Sequence, residues 1–197
     1  ELLVTEATLM PGKGKLTLTG KLGDVMQESA QAALSYVRAK ATRLGIKKSV
    51  FNDKDIHIHF PEAATPKDGS SAGITMTAAL VSALTEIPLK ENVAMTGEIT
   101  LRGRVLAIGG LKEKLLAAKQ YHATKVIVPV ANKIDLEEFK DEVKDLHISF
   151  AEHMDDVLQY ALSQDPFKKR TCSMKRTTTK KAVSTTKKKS TKSKRKK

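Results

Sequence analysis

The chain has 197 residues and a formal net charge of +13. That total is the sum of two unlike parts: residues 1–165 hold 20 Lys and Arg against 22 Asp and Glu, while residues 166–197 hold 15 Lys and Arg and no acid. The split excludes a uniformly basic protein. The single cysteine, Cys172, excludes a disulfide framework and a cysteine zinc site, and no apolar run approaches the roughly 20 residues of a membrane helix.

Two regions are expected: a folded domain over 1–165 and a Lys/Arg-rich tail over 166–197. From Lys168 onward Lys, Arg, Ser and Thr dominate, and too few apolar residues remain to offset the entropy of ordering, so that segment is expected to be disordered. No signal peptide is read at the start. The first residue is Glu1, which reads as a fragment or processed product of a longer protein.

In chain order, Leu2–Thr8 and Lys15–Thr19 alternate like strands, with Pro11-Gly12-Lys13-Gly14 between them, and predict a hairpin or bulged pair. Gly23-Asp24 opens a helix whose Val25, Ala30, Ala33, Leu34, Val37, Ala41 and Leu44 recur at three and four, ending at Gly45. Residues 55–60 predict a strand ending at Pro61, and 74–87 a buried helix closed by Pro88. Strands are expected over 93–100 and 104–108, then a helix from Leu111 to Tyr121, a strand over 125–130 and one helical turn over 136–139. A short strand over 147–150 and a last helix over 154–162 complete the domain. Mixed strands and helices of this kind predict an α+β (mixed α/β) fold with a mixed sheet.

The turn-rich segment Thr65-Pro66-Lys67-Asp68-Gly69-Ser70-Ser71-Ala72-Gly73 lies after a strand and before a helix. A hydroxyl there projects among unpaired backbone N–H groups, where developing negative charge is favoured. The ordinary reading is that Ser70 or Ser71 caps the helix. A serine nucleophile needs a base. None of His57, His59, His122, His147 and His153 sits in a recognisable triad setting. His57 and His59 alternate on one strand and face the same way, a spacing that suits a metal, but a third ligand is not evident; packing or surface roles are the default, and no metal site is assigned. Lysine is the other base. At about 100° per residue, Lys114 falls inside the apolar arc of Leu111, Leu115, Ala117, Ala118 and Tyr121, while Lys112 and Lys119 fall outside it. Desolvation there is expected to lower its pKa toward neutrality. The alternatives are a lysine that snorkels to solvent or one paired with Glu98. Pro11-Gly12-Lys13-Gly14-Lys15 lacks the spacing of a P-loop. Gly109-Gly110 reads as a site of close strand–helix packing, and the acidic run Asp135–Asp145 as a solvated face.

Pro66-Lys67-Asp68-Gly69-Ser70-Ser71-Ala72-Gly73 closely resembles the serine motif of the Lon protease family (endopeptidase La). Met95-Thr96-Gly97-Glu98-Ile99-Thr100-Leu101-Arg102-Gly103 and Gly109-Gly110-Leu111-Lys112-Glu113-Lys114-Leu115-Leu116-Ala117-Ala118 resemble the family's second signature, and Pro11–Gly14 and Val25–Ser29 also match. The similarity covers about residues 1–165. It implies a Ser–Lys serine endopeptidase, with Ser71 as nucleophile and Lys114 as base. It further implies that Thr96 hydrogen-bonds the lysine amine, that Asp68 shapes or gates the loop, and that backbone N–H groups of Gly69, Ser70, Ser71 and Ala72 form the oxyanion hole. Ser70 stands where the family commonly has proline.

The resemblance also implies the proteolytic part of a larger ATP-dependent protease that acts on unfolded or damaged proteins. ATP and magnesium belong to an ATPase module outside this chain, and a homo-hexamer is expected. The expected location is the bacterial cytoplasm, with the mitochondrial matrix as alternative. A competing reading is a non-catalytic Lon-like assembly module whose tail, Lys168–Lys197, weakly binds nucleic acid or acidic partners through salt-dependent, sequence-independent contacts. No membrane role is expected.

Overall fold

The computed structural model describes residues 2–61 and 64–168. The fold is α+β, with three small sheets arranged around one central helix. Strand β1 (Glu6–Pro11), β2 (Leu16–Thr19) and β3 (Lys54–His59) form the first sheet in the order β1-β3-β2. The expected hairpin between β1 and β2 is not formed. Strand β3 lies between them, antiparallel to β1 and parallel to β2. The turn that joins β1 to β2 wraps a carboxylate instead: Lys13 N and Lys15 N both donate to Asp55 Oδ1 at 2.8 Å. Those amides hold the Asp55 carboxyl below the ordinary carboxylate range.

Helix α1 (Asp24–Lys40) begins with Asp24 in its first turn and ends with Arg38 and Lys40 in its last, both favourable toward the helix dipole. Its buried face, Met26, Ala30, Ala33, Leu34 and Val37, follows the three-and-four spacing. Gly23 has no side chain with which to cap it, so Asp68 Oδ1 accepts from Met26 N at 3.0 Å across the fold. A one-turn helix α2 (Val50–Asp53), not expected from the sequence, leads into β3.

Helix α3 (Gly73–Thr85) carries no charged residue, its Thr77 and Thr85 hydroxyls fold back on its own carbonyls, and it sits at the centre with Ile74, Met76, Ala78, Leu80 and Val81 fully buried. A helix without a polar face is stable only when enclosed. After it come β4 (Val93–Met95), β5 (Glu98–Ile99) and β6 (Val105–Leu106). The single strand expected over 93–100 breaks at Gly97: Thr96 N still donates to Ile127 O at 3.0 Å, but both backbone groups of Gly97 pair with the start of α3 and the turn before it. Gly97 N donates to Ser71 O at 2.8 Å, and Ile74 N donates to Gly97 O at 3.1 Å.

Helix α4 (Leu111–Gln120), β7 (Lys125–Pro129), α5 (Lys133–Leu136), β8 (His147–Ala151) and α6 (Met154–Ala161) complete the described chain. The sheet β4-β7-β8 is parallel. Successive β7 side chains enter different cores, as the period-two alternation of a strand requires. Val126 and Val128 pack with Leu111, Leu115 and Phe139, and Ile127 joins the larger cluster built on α1, α3 and α6. This sheet is therefore covered on both faces. Phe167, which the sequence placed at the head of the tail, packs on the main core with Arg43 over its ring at 4.6 Å. The expectation of disorder from Lys168 onward lies almost wholly outside the described residues. Among those described, no helix is long and apolar enough to cross a membrane.

Candidate active site

Three segments far apart in sequence meet at one point: the 3-10 turn Ser70–Ala72 that leads into α3, the Thr96–Gly97 break between β4 and β5 with Glu98 just after it, and the first turns of α4. The 3-10 turn is preceded by Gly69 at φ 140°, a conformation that side chains disfavour. The same Asp68 Oδ1 that caps α1 also accepts from Gly69 N at 3.0 Å. Gly69 N–H is thereby engaged with the Asp68 side chain.

Four hydrogen bonds fix the turn against the β4–β5 break. Two are the Gly97 backbone bonds given above. In the third, Thr96 Oγ1 donates to Ser71 O at 3.3 Å, and in the fourth Ser70 Oγ donates to Glu98 Oε2 at 2.6 Å. On the other side, Ser29 Oγ donates to Ser70 O at 3.4 Å. Thr96 thus braces the carbonyl of Ser71. The Thr96 hydroxyl is placed on this carbonyl, and the bond to the Lys114 amine that the resemblance implies is not among its contacts here. Glu98 is likewise taken by Ser70, so the alternative that paired it with Lys114 is not what the structure forms.

Lys114 Nζ donates to Ser71 Oγ at 3.3 Å. The helical wheel placed Leu111, Leu115 and Ala118 inward, and they are buried; Lys114 is half-buried beside them, as is Lys112. Tyr121, assigned to the same arc, is exposed because α4 ends at Gln120. Gly110 opens α4 at φ 65°, so Gly109-Gly110 serves backbone conformation; a Cβ on Gly109 would meet nothing within 4 Å, and the expected close packing is absent.

A cavity of about 330 Å³ opens beside Ser71 Oγ and Lys114, walled by Leu2, Val4, Ala79, Met95 and Thr96. Such a mostly apolar recess with a few polar groups converging on it is the usual form of a substrate site. Sequence reasoning missed Asn132. This side chain is buried, its Oδ1 accepts from Ile108 N at 3.0 Å, and its Nδ2 donates to Ile108 O at 2.8 Å and to Asp135 Oδ2 at 2.7 Å. It fixes the approach to Gly109-Gly110 and hence to the helix that carries Lys114. Its Asp135 partner is local, three residues on, but nothing near Asn132 in sequence signals the pairing with Ile108, 24 residues away.

His57 and His59 stand on the outer face of β3, and His122, His147 and His153 lie elsewhere; none contacts Ser71. His153 caps α6 through Asp155 N. No group of three His, Cys, Asp or Glu among the described residues is placed to hold a metal. The Lys13 and Lys15 amides of the glycine-rich turn are committed to Asp55.

The family model described as Lon protease (S16) C-terminal proteolytic domain matches residues 1–164. The chain is 61% identical over 163 residues to Lon protease 1 of Myxococcus xanthus, covering 82% of this chain and 20% of that relative. It is 58% identical over 161 residues to Lon protease of Bacillus thuringiensis (81% and 20%) and 58% over 167 to that of Vibrio parahaemolyticus (84% and 21%). The chain thus spans about a fifth of the length of these relatives. A serine at the entry of a central helix, a lysine against it, and these matches across nearly the whole described fold lead to one conclusion: the chain belongs to the Lon protease C-terminal proteolytic domain family.

Proposed function

We propose that this chain is a serine endopeptidase in which Ser71 and Lys114 form a catalytic dyad. The observation that carries the proposal is the 3.3 Å contact between Lys114 Nζ and Ser71 Oγ beside the cavity. With the amine neutral, the hydrogen bond reverses and Ser71 O–H donates to Nζ. The amine takes that proton while Oγ bonds to the scissile carbonyl carbon, and backbone N–H groups of the Ser70–Ala72 turn stabilise the oxyanion. Collapse breaks the C–N bond, and the lysine ammonium returns its proton to the leaving amine. Water then attacks the acyl-enzyme with the same lysine as base, releasing the acid and restoring Ser71.

The chain's span of about a fifth of its relatives supports reading it as the proteolytic part of a larger protease. In that protease an ATPase module, using ATP and magnesium, delivers unfolded proteins, and six copies form a ring. Its setting is the bacterial cytoplasm, in keeping with the bacterial relatives; the mitochondrial matrix is the alternative. The test is cleavage of an unfolded protein or a short unstructured peptide. Ser71→Ala and Lys114→Ala each abolish it and Ser70→Ala does not; full activity in Lys114→Ala overturns the dyad.

A second activity is proposed for Lys168–Lys197. The 15 cations and no acids of residues 166–197 favour weak binding to nucleic acid or acidic proteins. Deleting 168–197 is expected to remove such binding, measured at low and high salt, and to leave peptidase activity intact. Binding without any peptidase activity would instead support a non-catalytic assembly module.

A further inference from the structure

Sheet β1-β3-β2 sends Ile56 and Ile58 into the core and turns His57 and His59 to its outer face. The two imidazoles do not simply project into solvent. His57 Nε2 lies 2.8 Å from Thr19 Oγ1, and His59 Nδ1 lies 2.7 Å from the same oxygen. Two ring nitrogens on alternate residues of one strand therefore converge on a single point. Alternation alone puts the side chains on one face; the convergence is added by Thr19 on the neighbouring parallel strand, in register with His59. A threonine hydroxyl has one proton, so between two neutral imidazoles it donates to one ring nitrogen, whose lone pair points at the shared position, and accepts from the other.

We propose that His57 and His59 form a chelating site for a borderline divalent transition ion, with Zn²⁺ as the reference ion. Imidazole nitrogen is a favoured ligand of zinc, copper and nickel. A zinc ion needs each nitrogen at about 2.0–2.1 Å. Side-chain rotations of the two half-buried rings bring them in, and the exposed Thr19 hydroxyl gives way to the ion. No third His, Cys, Asp or Glu already surrounds the point among the described residues. The site is therefore an open two-imidazole chelate, completed by water and by Glu6. Glu6 is exposed and is the register partner of His59 in the antiparallel pair, so it lies on the same face of the sheet. A bound ion with Glu6 as ligand ties β1 to β3. The site uses neither Ser71 nor Lys114 and stands independently of the peptidase reading.

The test is titration of the 197-residue chain with ZnCl₂ in metal-free buffer, followed by calorimetry and by ¹⁵N NMR of the histidine rings. One site is expected at which His57→Ala and His59→Ala each weaken zinc binding by about tenfold or more. Glu6→Gln is expected to weaken it by a smaller factor, while Cys172→Ser and His153→Ala leave it unchanged. In the unsubstituted chain, zinc is expected to shift the His57 Nε2 and His59 Nδ1 resonances, a readout that does not depend on any variant folding. Zinc affinity unchanged in the His57→Ala/His59→Ala double variant overturns the proposal. So does the absence of any shift at these two nitrogens at about 1 mM zinc.

Discussion

Ser70 Oγ donates a 2.6 Å hydrogen bond to Glu98 Oε2, and that bond separates two adjacent hydroxyls that the sequence leaves side by side. Ser70 faces the β4–β5 break and Ser71 faces Lys114. A hydrogen bond to a charged acceptor is worth about 1.5–3 kcal/mol. Here it braces a turn in which the family commonly has a proline. Ser70→Ala and Glu98→Gln are expected to lower kcat by no more than about tenfold, the loss of part of that energy in positioning. Ser71→Ala is expected to abolish turnover. Steady-state kinetics on a short unstructured peptide checks all three.

Asn132 acts behind the site, on the chain that leads into α4. It pairs both backbone groups of Ile108, and removing it leaves them without these partners in a half-buried setting. Asn132→Ala is expected to cost about 2–3 kcal/mol in urea unfolding. Because Ile108 leads through Gly110 into α4, peptidase kcat should also fall, with KM changing less. Unchanged stability in the variant would remove Asn132 from the frame of the site.

Thr5 Oγ1 is a buried hydroxyl oxygen without a hydrogen-bond partner, in the segment that walls the cavity. A polar atom left unpaired in this way costs about 1–3 kcal/mol. Thr5→Val keeps the shape and removes the hydroxyl. It is expected to raise stability by about 1 kcal/mol, read as a higher urea midpoint at constant slope.

Tyr36 shows how the α1–α6 contact responds to alkali. Its hydroxyl donates to Asp155 Oδ1 at 3.2 Å. Burial first, then the Asp155 charge and this bond, push the phenol well above its ordinary pKa of 10.0, and Arg43 opposes them. The folded state thus holds the proton at a pH where the unfolded chain has lost it. That contribution is fully present below about pH 10 and is lost as pH rises toward the folded value. The stability difference between the native chain and Tyr36→Phe is expected to narrow as pH is raised from about 9 to 11. A constant difference would show that the Tyr36 proton is not linked to folding.

Local patterns were sufficient for much of the chain. The three-and-four spacing of α1, the enclosed apolar run of α3 and the wheel of α4 depend only on neighbours in sequence, and they located both Lys114 and its inward direction. The serine turn was also legible, since small residues before an apolar helix form a recognisable boundary. The pairing of β1 and β2 through β3, the break at Gly97, the assignments of Thr96 and Glu98, and the brace at Asn132 were not legible. Each depends on which backbone groups find partners from distant segments, and a single sequence carries no local signal for that choice. The same holds for the outer face of β3. Alternation placed His57 and His59 together, but only the parallel neighbour β2 brought Thr19 between them. The net charge of +13 likewise resolves by position, because residues 1–165 carry the acids and residues 166–197 carry the excess of cations. The sequence by itself determined where a serine and a lysine of suitable character lie. The tertiary structure decided that 43 residues of separation close to 3.3 Å, because long-range backbone pairing fixes the two segments against one another.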